Sequence, residues 1–218
     1  ADITSIYDAL HRLRARLSPE DPLLFAVGDG NHSLAAAKAC WEEIKRGLTP
    51  EETVVHPARF AMVELENIHD DALRMEPIHR VLFGCDGDDL LDEIAAFAAA
   101  KGATLAAGPQ AQEIAVVYEG KEVTLSIEGS PYKLAVGTLQ AFLDGWLSAH
   151  PQARLDYIHG EDTVRTLVAG EGAVGFLLPT PERDRLFDTI RAEGALPRKT
   201  FSLGSANEKR YYMECRRL

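Results

Sequence analysis

Gly28-Asp29-Gly30-Asn31-His32-Ser33 is the feature that most narrows what this chain can fold into, because it separates two segments of different periodicity. Before it, Leu23-Leu24-Phe25-Ala26-Val27 is a short unbroken apolar run, the pattern of a fully buried strand. After it, Leu34, Ala37, Trp41, Ile44 and Leu48 recur at helical spacing. The stretch therefore reads as a strand-to-helix loop with Asp29, Asn31, His32 and Ser33 at a helix N-terminus. Free backbone N–H groups and the helix dipole favour an anion there. Gly28 and Gly30 let the backbone approach a ligand closely. The same residues also suit a plain turn in which Asn31 or Ser33 caps the helix. The stretch departs from G-x-G-x-x-G at Ser33 and lacks the lysine of a P-loop.

The rest of the chain alternates helical and extended patterns. Ile3, Ile6, Tyr7, Leu10, Leu13 and Leu17 predict an amphipathic helix over residues 3–17, capped by Asp2. Residues 59–68 read as a strand and residues 77–83 as an extended or short helical piece, with His69-Asp70-Asp71 turning the chain between them. Leu90, Leu91, Ile94, Phe97 and Ala98 predict a helix that stops at Gly102. Ile114–Tyr118 and Val123–Ile127 flank a hairpin signal, and Leu139 to Leu147 forms another helix. Residues 155–158 and 173–178 read as strands, each followed by a helix. Pro179-Thr180-Pro181 resembles a cap with proline at the first helical position. The tail, residues 209–217, alternates like a final strand.

This pattern predicts one α+β domain over residues 1–218. It has a mixed sheet with flanking helices and strand-loop-helix units, and residues 86–152 form an inserted helix and β-hairpin subdomain. The net charge of −11 over 218 residues argues against nucleic acid as a partner. No apolar run is long enough to span a membrane. Cys40, Cys85 and Cys215 form no C-x-x-C pair, which suits reduced thiols in a cytoplasm, with Cys40 and Cys85 as packing residues.

Outside the loop, His32, His79 and His159 each follow an apolar segment, where open sheets place ligands. His79-Arg80 sets a titratable base beside a planar cation suited to phosphate or carboxylate. Arg198-Lys199 is a second basic pair, either an anion clamp or a solvated loop. Glu64, Asn67 and Asp70 could ligate Mg2+ through oxygens, while Glu64 equally suits the solvent face of a strand.

Residues 27–35, Val63-Glu64-Leu65-Glu66-Asn67-Ile68-His69-Asp70, Pro77-Ile78-His79-Arg80-Val81-Leu82-Phe83 and Leu196-Pro197-Arg198-Lys199-Thr200-Phe201-Ser202 together resemble one bacterial family, the domain of unknown function 1015. The resemblance runs from Leu23 onward and implies the C-terminal half of a longer protein. The family is in turn distantly similar to the ParB-like free serine kinases, whose D-G-H-H-R motif holds nucleotide phosphates and serine. Asp29, Gly30 and His32 match that motif in type, while Asn31 and Ser33 replace its first histidine and its arginine. Arg80 or Lys199 would have to supply the missing cation.

Family genes tend to lie beside serine-biosynthesis genes, so the resemblance implies phosphotransfer or phosphate-ester chemistry on serine- or phosphoserine-like molecules. Asp29, His32 and His79 would be catalytic. Gly28, Gly30, Asn31, Ser33, Arg80, His159 and Lys199 would bind ligand or phosphate, with a nucleotide and Mg2+ as cofactors. The alternatives are a non-catalytic module binding a small anion or nucleotide, and a scaffold that completes a site elsewhere in a longer protein.

Overall fold

The computed structural model describes residues 2–204. They fall into two compact units, one holding residues 2–67 and the other residues 68–204. The expected strand over residues 209–217 lies outside the described residues.

The first unit is helical. Helix α1 (Ile3–Arg14) starts as expected, with the Asp2 carboxylate accepting from Thr4 N at 3.2 Å, but ends three residues before Leu17. Helix α2 (Asn31–Lys45) follows the glycine loop. Helix α3 (Pro50–Val55), not expected, is set by a reciprocal cap. Glu52 N donates to Thr49 Oγ1 at 3.3 Å, and Thr49 N donates to Glu52 Oε2 at 2.9 Å. Residues 23–27 and 59–68, read as strands, belong to no strand among the described residues. An apolar run becomes a strand only where a ladder partner meets it. Here Phe25 and Val27 are exposed, as are Met62 and Val63.

The second unit is α+β. Its strands are β1 (Met75–Pro77), β2 (His79–Phe83), β3 (Thr104–Leu105), β4 (Gln112–Tyr118), β5 (Lys121–Glu128), β6 (Arg154–Ile158), β7 (Ala173–Leu177) and β8 (Phe201–Leu203). Its helices are α4 (Gly87–Ala100), α5 (Ala135–Ala149), α6 (Glu161–Leu167) and α7 (Arg183–Glu193). Helix α7 starts at Arg183 after Glu182, later than the Thr180 cap predicts, and no side chain caps it. Six strands form a sheet in the order β3-β5-β4-β7-β2-β6, and β1 pairs with β8 in a second sheet. The expected α+β class is borne out. The sheet expected to be mixed is built, among the described residues, from antiparallel pairs throughout. Residues 86–152 supply β3, β4 and β5 to the same sheet as β2, β6 and β7.

Alternation explains how this sheet is covered. Leu82, Ile114, Val116, Tyr118, Val174 and Phe176 turn one way, into a core with Leu90 and Ile94 of α4 and Leu139, Phe142 and Leu143 of α5. Val81, Val117, Ala173 and Leu177 turn the other way, onto Val164 and Val168. The β4–β5 hairpin closes through Glu119 and Gly120, both with positive φ (49° and 73°), as a tight two-residue turn demands.

Candidate functional site

Three places in the fold hold the residues that the sequence singles out. The first is the start of α2. Gly30 is its N-cap residue, left-handed at φ 72°, which glycine adopts without strain. Neither Asn31 nor Ser33 is the cap, and no side chain caps this helix. The first bond along the helix runs from Leu34 N to Gly30 O at 2.9 Å. The N–H groups of Asn31, His32 and Ser33 therefore have no partner within the helix itself. Asp29 turns back on the loop, its Oδ1 accepting from Gly30 N at 2.8 Å. All six residues from Gly28 to Ser33 are exposed.

The second place is the beginning of β2. His79 and Arg80, expected to act as one base–cation pair, are consecutive in a strand and so face opposite sides of the sheet. His79 lies on the side covered by α6 and is 2% exposed. Its Nδ1 accepts from Leu178 N at 3.1 Å, which puts the proton of the neutral ring on Nε2. Burial pushes its pKa down. Glu161 opposes that shift, while Arg80 and the exposed His159 reinforce it. His79 and His159 are thus brought together, but His79 is enclosed rather than presented to solvent.

The third place surrounds Arg80, which is fully buried on the α5 side. Its guanidinium donates to Ile78 O, to Gln140 Oε1 at 3.4 Å and to Arg198 O at 3.0 Å, and it lies over the Tyr157 ring at 5.1 Å. Burial lowers its pKa to about 10. Arg198 donates from Nε to Tyr157 Oη at 2.6 Å and from both Nη atoms to Asp144, with Nη1 at 3.3 Å. Gln140 Nε2 donates to Asp144 Oδ1 at 2.8 Å. Lys199 is exposed beside this group, in a left-handed conformation at φ 55°. Sequence reasoning missed Gln140, Asp144 and Tyr157. Gln140 and Asp144 did carry a signal, as a polar i, i+4 pair within the apolar stripe of Leu139, Phe142, Leu143 and Trp146.

Of the residues read as metal ligands, Glu64 and Asn67 belong to the first unit and Asp70 to the second. Asp70 Oδ1 accepts from Ala72 N at 2.9 Å. Among the described residues no group of three or more His, Cys, Asp or Glu is placed to hold a metal ion. No described helix is long and apolar enough to cross a membrane. Cys40, expected to pack inside, is exposed because it falls on the outer face of α2. Cys85 is half-buried, and burial pushes its thiol up to about 11.

Fold and site together define an α+β protein with an exposed, glycine-opened helix N-terminus in one unit and a buried arginine cluster in the other. The chain belongs to the family described as "Protein of unknown function (DUF1015)", whose model matches residues 1–146. The Leu196–Ser202 segment of the resemblance lies beyond the matched residues. No curated protein matches the chain.

Among solved structures, it is similar to a conserved hypothetical protein from Pyrococcus furiosus, with 14% identity and a TM-score of 0.45 over 65% of this chain and 60% of that one. It is similar to a variant of free serine kinase in complex with AMP, with 17% identity and a TM-score of 0.45 over 64% and 57%. It is also similar to free serine kinase in complex with AMP, with 13% identity and a TM-score of 0.49 over 94% and 81%. The chain thus spans less than two thirds of the first two solved chains it matches.

Proposed function

We propose that the Gly28–Ser33 loop binds the phosphate of a small anion, a nucleotide or a phosphoserine-like molecule, and that the protein works in phosphotransfer or phosphate-ester chemistry in the cytoplasm. One observation carries this reading. Helix α2 opens on a left-handed glycine, and no side-chain hydrogen bond caps it. A phosphate there would take the amide hydrogens of residues 31–33 and sit at the positive end of a 15-residue helix. Asp29 would turn outward to orient a hydroxyl or a Mg2+ ion, and His32 would serve in proton transfer. Phosphoryl transfer depends chiefly on positioning and charge stabilisation, which backbone amides can supply. Arg80 and Lys199, expected to balance the ligand's charge, belong to the second unit, and this reading gives them no part in the site.

A non-catalytic binding module is the second reading. It is favoured by the burial of His79, one of the three residues expected to be catalytic. Calorimetric titration of the protein and of His32→Ala with phosphoserine, serine, ADP and ATP, followed by a turnover assay on whichever binds, separates the two. Binding retained with turnover lost in H32A identifies an enzyme. Binding without turnover in the unmodified protein identifies the module. If none of the four ligands binds, or if the one that binds is unaffected by Gly30→Val, the phosphate site at α2 is wrong.

A further inference from the structure

Arg80 poses a problem that the phosphate reading leaves untouched. It is a fully buried cation, yet among the described residues every group that accepts a hydrogen bond from it is a neutral oxygen and its Nε has no partner. A buried charge without a hydrogen-bonded counter-charge is costly, and a neutral side chain of similar volume would avoid that cost. Among the described residues the carboxylate whose charge it feels is that of Asp144, but Asp144 is held by Arg198 and Gln140. Two guanidinium groups thus share one carboxylate, and Lys199 adds a third cation in a chain whose net charge is −11.

The donors around Asp144 already have the form of a carboxylate receptor. Arg198 offers both Nη atoms as a fork, and Tyr157 holds that side chain through its Nε. Gln140 supplies a further N–H, and its own Oε1 is turned to Arg80. Arg198 and Asp144 are each about half exposed, so this face of the cluster is open to small molecules although Arg80 is not.

We propose that the Arg198–Asp144 pair above buried Arg80 is a binding site for a small-molecule carboxylate, with Asp144 as the internal carboxylate that the ligand exchanges for. The ligand takes the Arg198 fork and the Gln140 amide, and Arg80 supplies the unbalanced charge behind them. Asp144 turns out to solvent, which its half-exposed position allows. The site uses no residue of the Gly28–Ser33 loop and goes beyond the reading given above.

Acetate is the probe, titrated at constant ionic strength against chloride and followed by NMR chemical shifts. Saturable acetate binding is expected in the unmodified protein. It should be at least about tenfold tighter in Asp144→Asn, where the internal competitor is neutral, and absent in Arg198→Ala and in the D144N/R198A double variant. Circular dichroism confirms that each variant is folded, and Arg198→Lys, which keeps charge without the fork, should bind weakly. No saturable binding to either the unmodified protein or D144N overturns the proposal. So does binding that survives R198A, and so does phosphate outcompeting acetate. Because H32A and G30V leave this site intact, its failure is distinguishable from failure of the phosphate site.

Discussion

Replacing His79 with asparagine isolates one buried titration and tests whether the imidazole is enclosed in the folded state. The ring is 2% exposed, and its Nδ1 accepts the Leu178 N–H. Protonation would convert that acceptor into a donor facing a donor, in a site where burial already opposes charge. The unfolded chain has no such restraint and takes up the proton near the ordinary histidine value of about 6.5. Above that pH the ring is neutral in both states and its contribution to stability is fully present. As pH falls below it, the unfolded state binds the proton first, so stability declines. The slope approaches about 1.4 kcal/mol per pH unit, and the loss between pH 7.5 and 5.5 is at most about 1.4 kcal/mol.

The asparagine side chain would place its Oδ1 near the position of the histidine Nδ1 and keep the bond from Leu178, but it cannot titrate. His79→Asn should therefore be destabilised by a constant amount of about 1–3 kcal/mol for the lost ring volume, with a flatter dependence on pH. Urea denaturation at pH 7.5, 6.5 and 5.5, followed by the fluorescence of Trp41 and Trp146, measures both. The unmodified protein should lose more stability than H79N across this range, with m values unchanged. Equal losses in the two proteins would show that the folded state accepts the proton on His79 freely, and the assignment of a neutral, enclosed ring would be wrong.

Two further outcomes probe how the second unit is held together. A Cβ at Gly175 of β7 would lie 2.4 Å from Val164 Cγ1 and 2.8 Å from Val117 Cγ2. Gly175→Ala should therefore cost about 1–3 kcal/mol by overpacking, measured as a lower urea midpoint, and an unchanged midpoint would mean that α6 sits farther from the sheet. Asp86 caps α4, its Oδ1 accepting from Asp88 N at 2.9 Å and Asp89 N at 3.1 Å. Asp86→Ala should lower stability by about 1 kcal/mol, whereas Asp86→Ser should recover most of that loss in the same denaturation assay.

What the sequence reveals about this protein follows the range over which each signal acts. Helices α4 and α5 and the β4–β5 hairpin are legible because their apolar spacing and turn residues lie within the segments themselves. The glycine-opened start of α2 is legible for the same reason, since a left-handed Gly30 and the first helical turn are neighbours in the chain. Strand β8 carries no comparable local pattern. It exists because Phe201 meets Pro77 and Leu203 meets Met75, far away in sequence.

The runs at residues 23–27 and 59–68 show the converse, since apolar character in one segment says nothing about whether a ladder partner is available. His79-Arg80 shows how adjacency misleads. Two chemically complementary neighbours suggest one site, but in a strand the two-residue period sends them to opposite faces. Arg80 then finds Gln140 and Arg198, with Asp144 held by Gln140, and beside the Arg198-Lys199 pair the trace of this in the sequence is a polar pair one helical turn apart in an apolar helix. Gln140, buried in that helix, has a reason to be there only if something polar faces it, and a guanidinium on the strand beneath is such a group.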